Sequence, residues 1–159
     1  MNTPVSQMLP PFTMKTAGRT LMVGLGGLIV WELFARLIAP LWIGFALDPT
    51  ALIGMALGVE GTPAVILHFL TGLVFFPAGY VLVVKPLVAL LCSRRPWIIV
   101  GAGYGIALWV FAMYVMASLL GGAPPFLGFE PVAWASLVGH VALGVALAAA
   151  DAWLPDSTR

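Results

Sequence analysis

The sequence predicts an all-α integral membrane protein. It reads as a four-transmembrane-helix bundle with both termini inside and a short interfacial or re-entrant helix between the first two spans. Three observations carry that fold class. Hydrophobic residues make up 62% of the 159 positions and charged residues only 8%, against about 25% charged in an ordinary soluble domain. Four stretches, about 18–39, 63–84, 97–120 and 131–153, are apolar over the roughly 20 residues a helix needs to cross a hydrocarbon layer about 30 Å thick. These runs are continuous rather than alternating, which excludes barrel strands. The spans and their connections use nearly all of residues 1–159 as a single membrane domain.

Residues 1–17, with Pro4, Pro10 and Pro11, read as an irregular arm along the membrane surface. The first span follows Lys15 and Arg19 and is expected to end at Pro40, where the backbone N–H is lost. Its apolar run outlasts the 7–15 residues of a signal-peptide core and holds Glu32 and Arg36, so it is read as an uncleaved span. In the connection that follows, Asp48-Pro49 has the form of an N-cap with proline at the first helical position, and Gly58 the form of a stop. A helix over 49–57, carrying Leu52, Ile53, Met55 and Leu57, is expected to lie at the interface or dip back against the bundle. The second span carries Pro77, expected to kink it, and closes at Lys85-Pro86. Arg94-Arg95-Pro96 precedes the third span, which stops at Gly121-Gly122. The proline-bearing connection to Pro131 is short, which makes the third and fourth helices antiparallel neighbours.

Basic residues set the orientation. Lys15 and Arg19 precede the first span, and Lys85, Arg94 and Arg95 lie between the second and third. The opposite connections hold Asp48, Glu60 and Glu130 and no Lys or Arg. The positive-inside rule then makes both termini cytoplasmic and places the chain as a multi-pass protein of the bacterial inner membrane.

Four ionisable residues are expected to lie within the hydrocarbon: Glu32 and Arg36 on the first helix, His68 on the second, His140 on the fourth. Glu32 and Arg36 stand four apart with the acid first, the favourable helical order for an ion pair. The histidines lie at similar depth in helices of the same direction, so Glu32, His68 and His140 are expected to form one polar layer. A small residue precedes each histidine by one turn, in Ala64-x-x-x-His68 and Ser136-x-x-x-His140. That leaves room for a flat macrocycle, and the spacing resembles the pigment-binding histidine of bacterial light-harvesting polypeptides. His68 and His140 are therefore candidate ligands of a haem or bacteriochlorophyll. The competing reading gives each histidine an ordinary hydrogen bond inside the bundle.

Glycines mark candidate packing faces: Gly24 and Gly27 on the first helix, Gly101 and Gly105 on the third. The six tryptophans cluster toward span ends and are expected to anchor the interface. Cys92 has no partner cysteine and no metal-ligand spacing, and a net charge of +1 gives no footprint for nucleic acid. No nucleophile–histidine–acid set, phosphate loop or HExxH occurs, so no enzyme activity is expected.

The stretch His68-Phe69-Leu70-Thr71-Gly72 through Gly79-Tyr80, with Gly139-His140 followed by Gly144, resembles an uncharacterised family of small bacterial four-helix inner-membrane proteins. The resemblance implies the four-span layout and singles out both histidines without assigning them a role. The functional expectation is a non-catalytic accessory subunit whose partners are the lipid bilayer and a larger membrane protein complex. That complex would be energy-transducing, a photosynthetic core or a respiratory complex. The alternatives are a tetrapyrrole-binding protein using His68 and His140, and a small transporter or channel using the Glu32, Arg36, His68 and His140 layer.

Overall fold

The computed structural model describes residues 13–91 and 96–155; the expected arm over residues 1–12, Cys92 and the Arg94-Arg95 pair lie outside them. Four helices are long and apolar enough to cross a membrane: α1 (Met14–Ile43), α3 (Thr62–Leu91), α4 (Trp97–Leu120) and α5 (Pro131–Trp153). The short α2 (Pro49–Leu57) joins α1 to α3, and a tight turn at Pro125–Phe129 joins α4 to α5. No strand occurs among the described residues.

Two boundaries differ from expectation, and for one reason. Helix α1 passes through Pro40 to end at Gly44, and α3 passes through Pro86 as well as Pro77. Before each proline the helix widens into a π-helical stretch: Phe34–Ile38, Thr71–Phe75 and Gly79–Val84. The residue before each proline bonds five back, Ala39 to Phe34, Phe76 to Thr71 and Lys85 to Tyr80. A proline inside a regular helix lacks a donor and collides with the carbonyl four residues earlier. Widening the preceding turn moves that carbonyl aside, so the helix continues. At the other end α1 begins at Met14, capped by the Thr13 side chain, so residues 14–17 are helical and not part of an arm.

The end of α4, Phe111–Leu120, is also π-helical without a proline. There the Ser118 hydroxyl donates to the Met113 carbonyl at 2.9 Å.

Packing is tightest where glycine removes side chains. Gly101 and Gly105 on α4 face Gly144, Val141 and the His140 carbonyl on α5, so a Cβ at Gly105 would fall on that carbonyl. Gly27 seats Leu143 and Leu147 of α5 against α1, and Gly24 lies on the Leu73 carbonyl and Pro77 of α3. All four glycines singled out from sequence are thus contacts within the bundle. Helix α5 packs along both α4 and α1, around Val23, Leu108, Leu143, Leu147 and Ala148.

Helix α2 forms where the sequence placed it. The Asp48 carboxylate accepts from the Thr50 amide at 2.9 Å, the Thr50 hydroxyl at 2.6 Å and the Ala51 amide at 3.2 Å. Gly58 closes the helix in the left-handed region at φ 67°. In the turn after α4, Phe126, Leu127 and Phe129 also have positive φ. Phe126 is held there between Trp109, Tyr114 and Phe129, with ring centroids 5.0, 5.6 and 5.3 Å away.

Two outcomes are expected here. Gly105→Leu should cost at least ~1–3 kcal/mol by overpacking, whereas Gly103→Leu, which meets open space, should leave stability unchanged; steric-trapping unfolding in bicelles reads both. The Thr50 hydroxyl above all, with the two amides, holds the Asp48 carboxyl below the usual carboxylate range. A depressed folded pKa means this stabilisation is complete above the ordinary carboxylate pKa of about 4 and fades as pH falls through the lower folded value. Asp48→Ala should remove about 1 kcal/mol of capping, seen as faster amide exchange over 49–57 at pH 7 and a smaller difference from wild type in acid.

Candidate functional site

A cavity of about 640 Å³ opens inside the end of the bundle that carries α2. Leu28 and Trp31 of α1 and Ser136, His140 and Leu143 of α5 form its back wall. His68, Gly72, Phe75 and Phe76 of α3 form one side, and Phe111, Ala112, Met113 and Met116 of α4 the other. Helix α2, with Leu127 of the turn before α5, lies across it as a roof. The cavity exists because α3 and α4 separate here. They are pinned deeper in the bundle, where the Tyr104 hydroxyl donates to the Phe76 carbonyl at 2.7 Å and sits against Gly79. Phe75 and Phe111, on the two flanks, are 57% and 46% exposed. The volume falls within the roughly 300–1,000 Å³ of small-molecule sites, which are likewise mainly apolar with a few placed polar groups.

His140 is one of those polar groups. Its Nδ1 lies 2.8 Å from the Ser136 carbonyl and 3.2 Å from the Ser136 hydroxyl. A carbonyl only accepts, so Nδ1 carries the proton and donates, and the neutral ring leaves a lone pair on Nε2. No hydrogen bond to Nε2 occurs among the described residues. Trp31 meets the imidazole edge-on, ring centroids 4.7 Å apart. Its indole Nε1 is buried and has no hydrogen-bond partner among the described residues.

His68 is arranged differently. Its Nε2 lies 2.7 Å from Glu32 Oε1, while the other Glu32 oxygen accepts from Arg36 Nε at 2.7 Å. The expected pair of Glu32 and Arg36 is present, and His68 joins it. The Arg36 side chain is turned outward, 67% exposed. His140 stands outside this network, so the expected layer divides into a Glu32–His68–Arg36 chain and a separate His140–Ser136 pair. Ala64 precedes His68 as a small buried residue, but the Ser136 hydroxyl one turn before His140 is occupied by the imidazole.

The opposite end of the bundle holds a cluster the sequence reading did not single out. Asp151, near the end of α5, receives Arg19 Nε of α1 at 2.6 Å on one oxygen and Lys85 Nζ of α3 at 2.7 Å on the other. The Arg19 and Asp151 side chains are 8% and 5% exposed. Arg19 also donates to the backbone carbonyls of Asp151 at 2.5 Å and Pro155 at 2.7 Å, satisfying acceptors that a helix end leaves open. One guanidinium therefore pairs a charge and caps a helix. A signal for it existed: a lone acid in the last turn of an apolar helix, at the same end as Arg19 and Lys85.

Two tryptophans depart from the expected interfacial role. Trp31 lines the cavity wall, and Trp109 is buried with its Nε1 donating to the Ala133 carbonyl at 3.0 Å. Trp42, Trp97, Trp134 and Trp153 are exposed near helix ends. No group of three or more metal-ligating side chains occurs among the described residues.

Comparison with known proteins finds no matching family model, no matching curated protein and no matching solved structure.

Removing one member of the charge cluster tests its weight. Asp151→Leu leaves Arg19 and Lys85 facing each other without their counter-ion and should cost ~3–5 kcal/mol. Asp151→Leu with Arg19→Leu should recover part of that loss. Arg36→Leu, at an outward-facing position, should cost no more than about 1 kcal/mol. Unfolding of the three variants in mixed micelles provides the comparison, and equal losses for Asp151→Leu and Arg36→Leu would contradict it.

Proposed function

We propose that the protein is a non-catalytic accessory subunit of a larger energy-transducing complex in the bacterial inner membrane, and that it holds one lipophilic molecule there. The observation that supports this reading is the cavity. It is large enough for a cofactor-sized ligand, lined almost throughout by apolar side chains, and set among helices long and apolar enough to cross a membrane. With both termini cytoplasmic, the cavity lies in the outer leaflet and the Arg19–Lys85–Asp151 cluster at the cytoplasmic headgroups.

A second reading has its own observation. A histidine whose Nδ1–H is fixed by a carbonyl, leaving Nε2 free, has the outer-shell arrangement common to metal-ligating imidazoles. His140 would then be the axial ligand of a haem or chlorophyll-type macrocycle. His68, whose Nε2 is engaged by Glu32, fits that role less well.

The test is purification of the tagged chain from native membranes in mild detergent. Mass spectrometry identifies the retained proteins, and an organic extract of the same sample identifies the lipophile. The expected result is a large complex at fixed stoichiometry and one lipophilic molecule per chain. Ala112→Phe, which fills the cavity, should lower the bound lipophile more than tenfold while the complex survives. A visible absorption band lost in His140→Leu would select the tetrapyrrole. A chain that arrives alone and empty would overturn the proposal.

A further inference from the structure

We propose that α2 is a hinged lid, and that the occupant of the cavity enters and leaves past it, at the end of the bundle, rather than between the membrane-spanning helices. The inference rests on the cavity reading above and adds its route of entry.

The elements that bound the cavity are held with very different firmness. Its walls are long helices joined through Gly24, Gly27, Gly101 and Gly105. The turn that carries Leu127 is fixed by Phe126, whose ring lies against Trp109, Tyr114 and Phe129. Helix α2 has no comparable fastening. Of its nine residues only Ile53 is buried. The hydrogen bonds of Asp48 all fall on Thr50 and Ala51, so they hold the helix together without tying it to another. Among the described residues, no side-chain hydrogen bond or ion pair joins 49–57 to a neighbouring helix. What remains is apolar contact: Leu52 packs against Trp109, Ala112 and Met113, and Met55 rests on Gly121 at the end of α4. Elements with few buried apolar contacts are those that open locally.

The backbone on either side of α2 suits a swing about one end. Just before the helix, the Leu47 amide donates to the Ala35 carbonyl of α1 at 3.1 Å, which pins that end. Beyond the helix stand two glycines with positive φ, Gly58 at 67° and Gly61 at 61° with ψ −133°. A Cβ at either would meet open space, so backbone conformation and not packing is what asks for glycine there. Residues 58–61 can extend to about 13 Å, enough slack for the Met55 end to rise while the Leu47 end stays. Met55 on Gly121 is then the latch: an unbranched thioether seated on a bare glycine, released without breaking a hydrogen bond.

The experiment reads how water reaches the cavity wall. Ala112 lines the cavity and is 6% exposed, so Ala112→Cys in a Cys92→Ser background places a reporter thiol there. The probe is a quaternary-ammonium methanethiosulfonate, whose fixed charge keeps it out of hydrocarbon, applied to the protein in nanodiscs and read by mass spectrometry of the peptide containing 112. Met55→Cys with Gly121→Cys supplies a lock, because a Cβ at 121 would lie 2.9 Å from Met55 Cγ, within reach of a disulfide. The reporter should react in the unlocked protein, at least about tenfold more slowly with the disulfide closed, and at the original rate once it is reduced, since a covered thiol reacts in proportion to the open population. Met55→Ala, which removes the latch, should speed the reaction severalfold, and it decides the matter should the cross-link not close. Equal rates with the lock closed and reduced, or an unchanged rate in Met55→Ala, would overturn the lid. So would a reporter that reacts with apolar N-ethylmaleimide and not with the charged reagent, which would put the entrance in the hydrocarbon and leave the cavity reading in place. A thiol at 112 inert to both reagents would overturn both.

Discussion

Backbone contact between α4 and α5 is the constraint from which the rest of the architecture follows. Lipid chains are as apolar as leucine, so membrane helices gain nothing from burying leucines against one another, and close approach must supply the association. Gly101, Gly105 and Gly144 provide it by letting one helix lie on the peptide groups of the other. Gly24 does the same between α1 and α3. The bundle is thereby built as two tightly joined pairs, with α5 also resting on α1 through Gly27. Among the described residues no glycine contact of this kind joins α3 to α4 above the Tyr104–Phe76 hydrogen bond. The cavity is the space left by that asymmetry, and α2 covers its end because Asp48 and Gly58 fix a helix of the right length there.

Polar groups divide between the two ends of this frame. At one end Arg19, Lys85 and Asp151 bind three helices through fully used charges. At the other, Glu32 is shared between His68 and Arg36, and among the described residues His140 Nε2 and Trp31 Nε1 have no hydrogen-bond partner. The first arrangement is closed, with both carboxylate oxygens taken. The second is open, and the His140 ring lies on the wall of the cavity. That contrast separates what holds the protein together from what can receive another molecule.

Much of the fold was legible in the sequence, because the features that made it so act locally. Apolar length gave the four spans, and the cap at Asp48 with the stop at Gly58 gave α2 to the residue. The Glu32–Arg36 pair followed from helical spacing. What the sequence did not reveal depended on residues brought together from distant parts of the chain. Asp151 meets Arg19 across 132 positions, and Trp31 meets His140 only through the packing of α1 on α5. Pro40 and Pro86 misled for a different reason. Read alone, a proline is a helix terminator, and only the hydrogen bonds of the preceding turn show that the helix accommodates it.

The widened turns in α3 also set which way its residues face. His68 and Lys85 are 17 positions apart, and at about 100° per residue a uniform helix would carry Lys85 about 260° around from His68. Each π-helical stretch takes up an additional residue and so turns everything beyond it back by about 100°. Two such stretches, Thr71–Phe75 and Gly79–Val84, lie between them. The corrected angle is about 60°, which puts both side chains on the flank of α3 that meets the other helices. Pro77 and Pro86 thus act as phase markers: they bring the residue that addresses Glu32 at one end and the residue that addresses Asp151 at the other to within about 60° of one another, where a helical wheel drawn from the sequence would set them about 100° apart.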